Sequence, residues 1–265
     1  MKREILFFIF ILLFLMGCGQ EKGKIRIWLI DAPPPQVVEH IYLTVVGVGI
    51  RNSEGDAITL QLDPYTVDIV GLMGGFAAPL TFNYSTGSYF VDVEPGDYTG
   101  VLLLLAEINS LVMEGDSVAD SLLIPEGVPI EYELDEAFTV LPGEYRTIIV
   151  DFDASKSINW YSEPYELIPS FRIFQSSTAG FIRGIVKTIE DTSEVAVKFA
   201  TLHAVSSTDT MTTLSDSTGK YSLFIPEGTY DVSVSAEGYT VFDTLYEGVV
   251  VNSDSVLDNY NFILE

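Results

Sequence analysis

Apolar and polar positions alternate with a period of two along most of this chain. From Lys24 to Ile30 the alternation sets Ile25, Ile27 and Leu29 on one face, which predicts a strand with one side against a core. Asp31-Ala32-Pro33-Pro34-Pro35 stops it, because proline donates no ladder hydrogen bond. Ile41 to Arg51 predicts a second strand. Asn52-Ser53-Glu54-Gly55-Asp56 is a turn, and Ala57 to Leu62 returns. Val67 to Met73 fits either a short helix or a buried strand, closed by Gly74-Gly75. Sustained helical periodicity occurs nowhere after residue 18.

One unit then recurs. Glu94-Pro95-Gly96-Asp97-Tyr98, Pro142-Gly143-Glu144-Tyr145 and Pro226-Glu227-Gly228-Thr229-Tyr230 each follow a strand pattern and lead into another. Proline presets φ for the second turn position and glycine accepts positive φ at the next, so these are hairpins or strand corners whose tyrosine opens the returning strand. Short strands with frequent turn signals predict an all-β chain of sandwich type. The small polar residues Gln175 to Ala179 interrupt the strand patterns Ser170 to Phe174 and Gly180 to Thr188. Two consecutive β-sandwich-type domains are therefore expected, at about 24–176 and 180–265.

The N-terminus departs from this pattern. Lys2 and Arg3 precede a twelve-residue apolar run, Ile5 to Met16, and Leu15-Met16-Gly17-Cys18 holds the only cysteine. The run is too short to cross a bilayer and stay, which takes about 20 residues. A basic start, a short apolar core and small residues at the cut describe a secretion signal. The Leu-Met-Gly-Cys stretch resembles the bacterial lipobox. That resemblance implies cleavage of residues 1–17, a lipid on Cys18, a short tether over 18–23, and an extracytoplasmic body held by several acyl chains. Gly19 is not the aspartate associated with inner-membrane retention in enterobacteria, so an outer-membrane or surface location is expected.

Net charge narrows the partners. The 265-residue chain carries 38 Asp and Glu against 13 Lys and Arg, a formal charge of -25, which opposes nucleic acid and anionic lipid head groups. With Cys18 lipidated no disulfide can form, although the compartment would allow one.

Two families are resembled. Trp28-Leu29-Ile30-Asp31-Ala32-Pro33, Asp68-Ile69-Val70-Gly71-Leu72 with Gly74-Gly75, Leu123-Ile124-Pro125-Glu126-Gly127, Asp151 to Ile158, and Tyr165 to Pro169 with Phe171-Arg172 together resemble the bacterial lipoprotein domain-of-unknown-function 4382 family. The resemblance implies a β-rich, secreted, often lipid-anchored module and no catalysis. Gly184-Ile185-Val186, Asp216 to Leu223, Pro226 to Val232 and Ala236-Glu237-Gly238-Tyr239 resemble the carboxypeptidase regulatory-like domain, a small transthyretin-like sandwich that implies a stalk or spacer. Here Asp216 can cap its own turn and Gly219 can take positive φ. Tyr221, Leu223 and Ile225 share one strand face, and Tyr230, Val232, Val234 and Ala236 the next.

Candidate chemistry is sparse. His40 and His203 fall in different domains and no His-Glu-x-x-His pattern occurs. Gly115-Asp116-Ser117 has the start of a serine-esterase motif, yet beside Glu114 it reads as a hairpin turn. Asp151 and Asp153 leave one face of a strand around Phe152 and are candidates for a Ca²⁺ site, which needs six to eight oxygens. The competing arrangement buries Phe152 and leaves the aspartates solvated, or paired with Lys156 or Arg146. Glu131, Glu133, Asp135 and Glu136 could act as glycosidase carboxylates only if a cleft spaced a pair by about 5–9 Å. A strand expected from Thr147 to Ser157 must reverse between Ile158 and Tyr165, and Trp160 and Tyr161 on that tip are the candidate ligand-binding pair, with burial of Trp160 over the sheet end as the alternative.

The sequence therefore predicts a non-catalytic, lipid-anchored cell-envelope protein with no cofactor, binding or displaying a glycan or protein partner. The alternatives are a carboxylate-based glycan-active enzyme and a purely structural component of a surface assembly.

Overall fold

The computed structural model of the protein describes residues 21–32, 38–61, 63–72, 75–240 and 245–265. Cys18, the expected signal peptide, residues 19 and 20 of the tether, Pro33 to Pro35 and Gly74 lie outside the described residues. Among the described residues the chain is almost wholly β, with one four-residue α-helix, Ala154–Ser157, and two single 3₁₀ turns. None of the described helices is long and apolar enough to cross a membrane.

The first half is built from two facing sheets. In the smaller, strands follow the order Phe171–Gln175, Tyr145–Asp153, Gly23–Ala32, Ala78–Pro79, with Val91–Val93 also pairing Gly23–Ala32. Gly23–Ala32 and Tyr145–Asp153 run parallel, placing Ile27 opposite Ile148 and Leu29 opposite Val150. The larger sheet is nine-stranded and centred on Val38–Asn52, which pairs with Gly96–Leu105, Ile108–Met113, Ala57–Gln61 and Tyr65–Asp68. Between the sheets Ile25, Ile27, Leu29, Ile41, Leu103 and Phe152 are fully buried. The predicted period-two faces are the faces that pack, because a side-chain period of two puts every second residue of a strand on the same side.

The second half is another pair of sheets. One holds Ser193–Ala196, Ala179–Glu190 and Lys220–Pro226, with Val256–Leu257 and Phe262–Leu264 added in parallel to Ala179–Glu190. The other runs Thr210–Leu214, Thr201–Val205, Gly228–Ser235, Tyr246–Val251. Ile182, Leu223, Ile225, Leu202, Val232 and Phe262 fill the space between. Gly184 is required there: a Cβ at this position would stand 1.9 Å from the Tyr260 carbonyl oxygen, where the chain passes under Tyr221.

The recurring Pro-Gly unit splits two to one. Tyr98 donates its hydroxyl to the Glu94 carbonyl at 2.5 Å and Tyr230 to the Pro226 carbonyl at 3.0 Å, each four residues back, as in the tyrosine corner of β-sandwiches. Tyr145 instead starts a strand in parallel pairing and stays exposed, while Glu144 closes that turn through the Leu141 N–H. At Asp216 the turn closes as expected. Its carboxylate accepts from the Thr218 and Lys220 backbone at 2.7 and 3.0 Å, and Gly219 takes a φ of 77°.

Two local expectations are corrected. Val67 to Leu72 is neither all helix nor all strand: the strand Tyr65–Asp68 gives way to a 3₁₀ turn, Val70–Leu72. The strand expected to run to Ser157 ends at Asp153, whose carboxylate accepts the Lys156 N–H and so starts the short helix.

Candidate functional site

The outer face of the smaller sheet is the distinctive surface. Ile25, Ile27 and Leu29 point inward, so Arg26, Trp28 and Ile30 point outward. The parallel register adds Thr147 beside Arg26, Ile149 beside Trp28 and Asp151 beside Ile30; the next strand adds Phe174 beside Ile149 and Arg172 beside Asp151. Three rows result: Arg26-Thr147, Trp28-Ile149-Phe174 and Ile30-Asp151-Arg172.

The middle row meets the second sandwich. Ile149 and Phe174 belong to its buried core, and Trp28 and Ile30 pack against it. Gly75 comes so close to Ser222 that a Cβ on it would lie 2.7 Å from the Ser222 Cβ, at a φ of 93°. The linker is correspondingly tied. Gln175 Nε2 donates to Glu136 Oε1 and to the Ala137 carbonyl, and the Thr178 carbonyl accepts from the Glu227 N–H. The two sandwiches thus share a packed face.

The Asp-Arg row is a clamp. Arg172 Nη1 donates to Asp151 Oδ2 at 2.6 Å, Nη2 to Asp153 Oδ2 at 2.8 Å and to the Thr210 carbonyl at 2.7 Å, and Nε to Asp209 Oδ2 at 2.5 Å. Asp209 and Thr210 belong to the second sandwich, so one guanidinium spans the junction. Asp151 and Asp153 are buried, each 2% exposed, so they are not solvated, and the cation they face is Arg172. Lys156 joins Asp153 at 3.0 Å, whereas Arg146 pairs with Glu144 at 2.9 Å. No group of three or more metal-ligating side chains occurs among the described residues.

Burial pushes the Asp151 carboxyl up to about 6, against the opposing pull of Arg172. Burial acts upward on Asp153 too, but hydrogen bonds from Ser155 and Lys156 and the Arg172 charge outweigh it and hold Asp153 below the usual range. Between about pH 4 and 6 native Asp151 keeps a proton that the unfolded chain has lost. Its contribution to stability therefore falls as pH rises through that window and is flat above it. Asp153 acts in the opposite direction, its contribution being lost at pH values below the ordinary carboxylate range. Denaturant unfolding of wild type and Asp151→Asn between about pH 4 and 7 should show wild type losing stability relative to the variant as pH rises. A pH-independent difference would assign Asp151 an ordinary titration.

A second feature runs outward from Trp28. Its ring centroid is 5.5 Å from that of Tyr89, Tyr89 is 5.6 Å from Phe82, and Phe82 is 4.9 Å from Tyr84. On the other side the Arg26 guanidinium lies 5.0 Å over Trp28 and 4.5 Å over Phe90, whose ring meets Tyr145 edge-on at 5.0 Å. Tyr84, Tyr89 and Tyr145 are exposed, at 69%, 45% and 62%. Six aromatic rings and one guanidinium thus form a continuous, partly open surface.

The tip expected to carry a ligand is arranged differently. Tyr161 is 96% exposed, while Trp160 packs against the first core with its ring 6.2 Å from that of Tyr165, so the two rings face opposite ways. Glu131, Glu133 and Asp135 lie on the open side of one strand, with Glu133 paired to Arg51, and Glu136 accepts from Gln175. Gly115-Asp116-Ser117 forms the turn between Ile108–Met113 and Asp120–Leu123, with Gly115 at a φ of 86°. His40 pairs with Asp68 at 2.7 Å, and His203 Nε2 lies 3.0 Å from Ser235 Oγ. The aromatic surface had one sequence signal: both faces of Lys24 to Ile30 carry large apolar residues, as a strand covered on both sides does. The contributions of Phe82, Tyr84 and Tyr89 had none.

A sequence model of the family described as "Domain of unknown function (DUF4382)" matches residues 22–169. The chain belongs to this family. Its DUF4382 part therefore contains the Asp151-Asp153 strand and the whole aromatic surface. Arg172 follows the matched residues. The carboxypeptidase regulatory-like domain matches residues 182–265 and supplies the other side of the junction. No curated protein matches the chain. Among solved structures, the TIE protein of Bacillus anthracis is similar at 10% identity and a TM-score of 0.28, over 92% of this chain and 34% of that one. This DUF4382 protein thus spans about a third of that protein's length. The minor pilin GBS52 of Streptococcus agalactiae is similar at 10% identity, over 90% and 94% of the two chains, with a TM-score of 0.27. The major pilin subunit BcpA of Bacillus cereus is similar at 9% identity, over 92% and 99%, with a TM-score of 0.23.

Proposed function

We propose that this DUF4382 protein is a non-catalytic, lipid-anchored envelope protein that holds a glycan or protein partner on its aromatic surface. The observation that carries the reading is the run Tyr84-Phe82-Tyr89-Trp28-Arg26-Phe90-Tyr145. A contiguous, partly exposed aromatic patch on a soluble sandwich marks an interaction face. Tyrosine and tryptophan suit it because a flat apolar ring and a polar atom serve the same contact. The strongly acidic surface favours a neutral or basic partner over an anionic polymer. The apolar run Ile5 to Met16 and Cys18 supply export and the anchor.

The test uses the full chain on neutral glycan and envelope-protein arrays. The double variant Tyr84→Ala, Tyr145→Ala is expected to lose at least about tenfold in affinity, with its melting temperature unchanged. Binding that survives the double variant would place the partner elsewhere. For the anchor, Cys18→Ala is expected to abolish acyl labelling and release the protein from the membrane fraction; continued labelling would refute lipidation at Cys18.

A further inference from the structure

Where the smaller sheet meets the second sandwich, a cleft of about 430 Å³ stays open beside the packed junction. That is within the range of small-molecule sites, about 300–1,000 Å³. Trp28, Ile149, Phe181, Met211 and Phe224 give it mostly apolar walls, and Arg26, Thr147 and Thr212 bring polar atoms to it.

Its charge is unusual for this chain. Of the five described arginines, Arg51, Arg146 and Arg172 pair with carboxylates, while Arg26 and Arg183 have no carboxylate partner among the described residues. Those two are the arginines of the cleft. Arg26 lines it. Arg183 stands at its rim, 4.5 Å over the Phe181 ring with Nε 3.3 Å from Ser222 Oγ. Asp151, the one carboxylate on the lining, is held by Arg172. Arg26 Nη2 donates to Thr147 Oγ1 at 3.1 Å, but its Nε–H is buried with no acceptor among the described residues. A buried donor without an acceptor costs stability until something supplies one. In a chain with 38 acidic residues, two arginines unpaired beside one apolar cavity select an anionic head on an apolar body.

We propose that the cleft between the two sandwiches binds a small amphiphile with an aromatic or alkyl body and a carboxylate or similar anionic head. The apolar body lies between Trp28 and Phe224, and the head accepts from Arg26. The site is independent of the aromatic-surface reading: it shares Trp28 and Arg26 with that surface but lies in the junction, and it requires neither Tyr84 nor Tyr145.

The test is calorimetric titration of the purified full chain with 4-phenylbutyrate and, separately, with 4-phenylbutylamine, its cationic counterpart. One carboxylate is expected to bind per chain, with the amine at least about tenfold weaker. Arg26→Gln should weaken the carboxylate about tenfold, and Thr212→Trp, which fills the cleft, should abolish saturable binding. Should Arg26→Gln fail to fold, Arg183→Gln on the exposed rim supplies the charge readout and is expected to weaken binding several-fold. The proposal is overturned by no saturable carboxylate binding at about 10 mM. Equal affinity for the amine, or unchanged affinity in the folded variants, overturns it as well.

Discussion

Replacing Arg172 with methionine is expected to destabilise the protein by about 3–5 kcal/mol. The cost comes less from lost attraction than from what stays behind. Asp151 and Asp153 are buried on the junction face, and Asp209 reaches the same guanidinium from the second sandwich. Without Arg172 Asp151 loses its cation altogether, while Asp153 keeps Lys156 and the Ser155 hydroxyl, so two buried carboxylates are left under-compensated in a low-dielectric site. The Thr210 carbonyl loses a donor as well. Because Asp209 and Thr210 lie across the junction, the loss should also loosen one sandwich from the other. Hydrogen exchange should show protection falling at Asp209 to Leu214 and at Tyr145 to Asp153 together. Equilibrium unfolding checks the magnitude. A loss below about 1 kcal/mol would mean that the carboxylates find water or protonate at no cost. The double variant Asp151→Asn, Arg172→Met should recover part of the loss, since one of the stranded charges is then gone.

Phe152→Ala is expected to cost about 3–5 kcal/mol, for a different reason. Phe152 is fully buried between the sheets of the first sandwich, with the Phe171 ring 5.5 Å away and Tyr132 against Phe171 at 5.4 Å. Truncation removes a large apolar side chain from a close-packed interior that can collapse only partly, because the strand on either side is pinned by ladder bonds and by the clamp. Leucine should recover part of the loss, since it restores volume but not the ring contacts. The variant's unfolding midpoint should shift with little change in denaturant slope; a small shift would mean that Phe171 swings in to fill the space.

The two substitutions lie on neighbouring antiparallel strands and act on opposite faces of one of them, Tyr145–Asp153. Its alternation was legible in the sequence, and so was the fact that Asp151 and Asp153 share a face. The partner of that face was not. Arg146 and Lys156 were the nearby cations, and Lys156 does pair with Asp153. The dominant cation comes from Arg172, brought opposite Asp151 by strand register, a relation that only pairing creates. Likewise Trp160 and Tyr161 were adjacent aromatics on a predicted reversal, and the reversal exists. Whether a ring on such a tip turns in or out depends on the space at the sheet end, which Trp160 occupies beside Tyr165.

What the sequence determined by itself follows from short-range geometry. Period-two alternation sets which side of each strand is buried, Pro-Gly units set the corners, and Asp216 with Gly219 sets a turn, because each depends on residues within a few positions of one another. The all-β class, the strand faces and the change of pattern near residue 177 were therefore readable. The tertiary structure decided what depends on residues far apart in sequence. It laid Gly23–Ala32 parallel to Tyr145–Asp153, set Phe82, Tyr84 and Tyr89 beside Trp28, and seated the second sandwich on the outer face of the first. Those contacts arise from register and packing between sheets, and no local pattern encodes which distant strand will lie alongside.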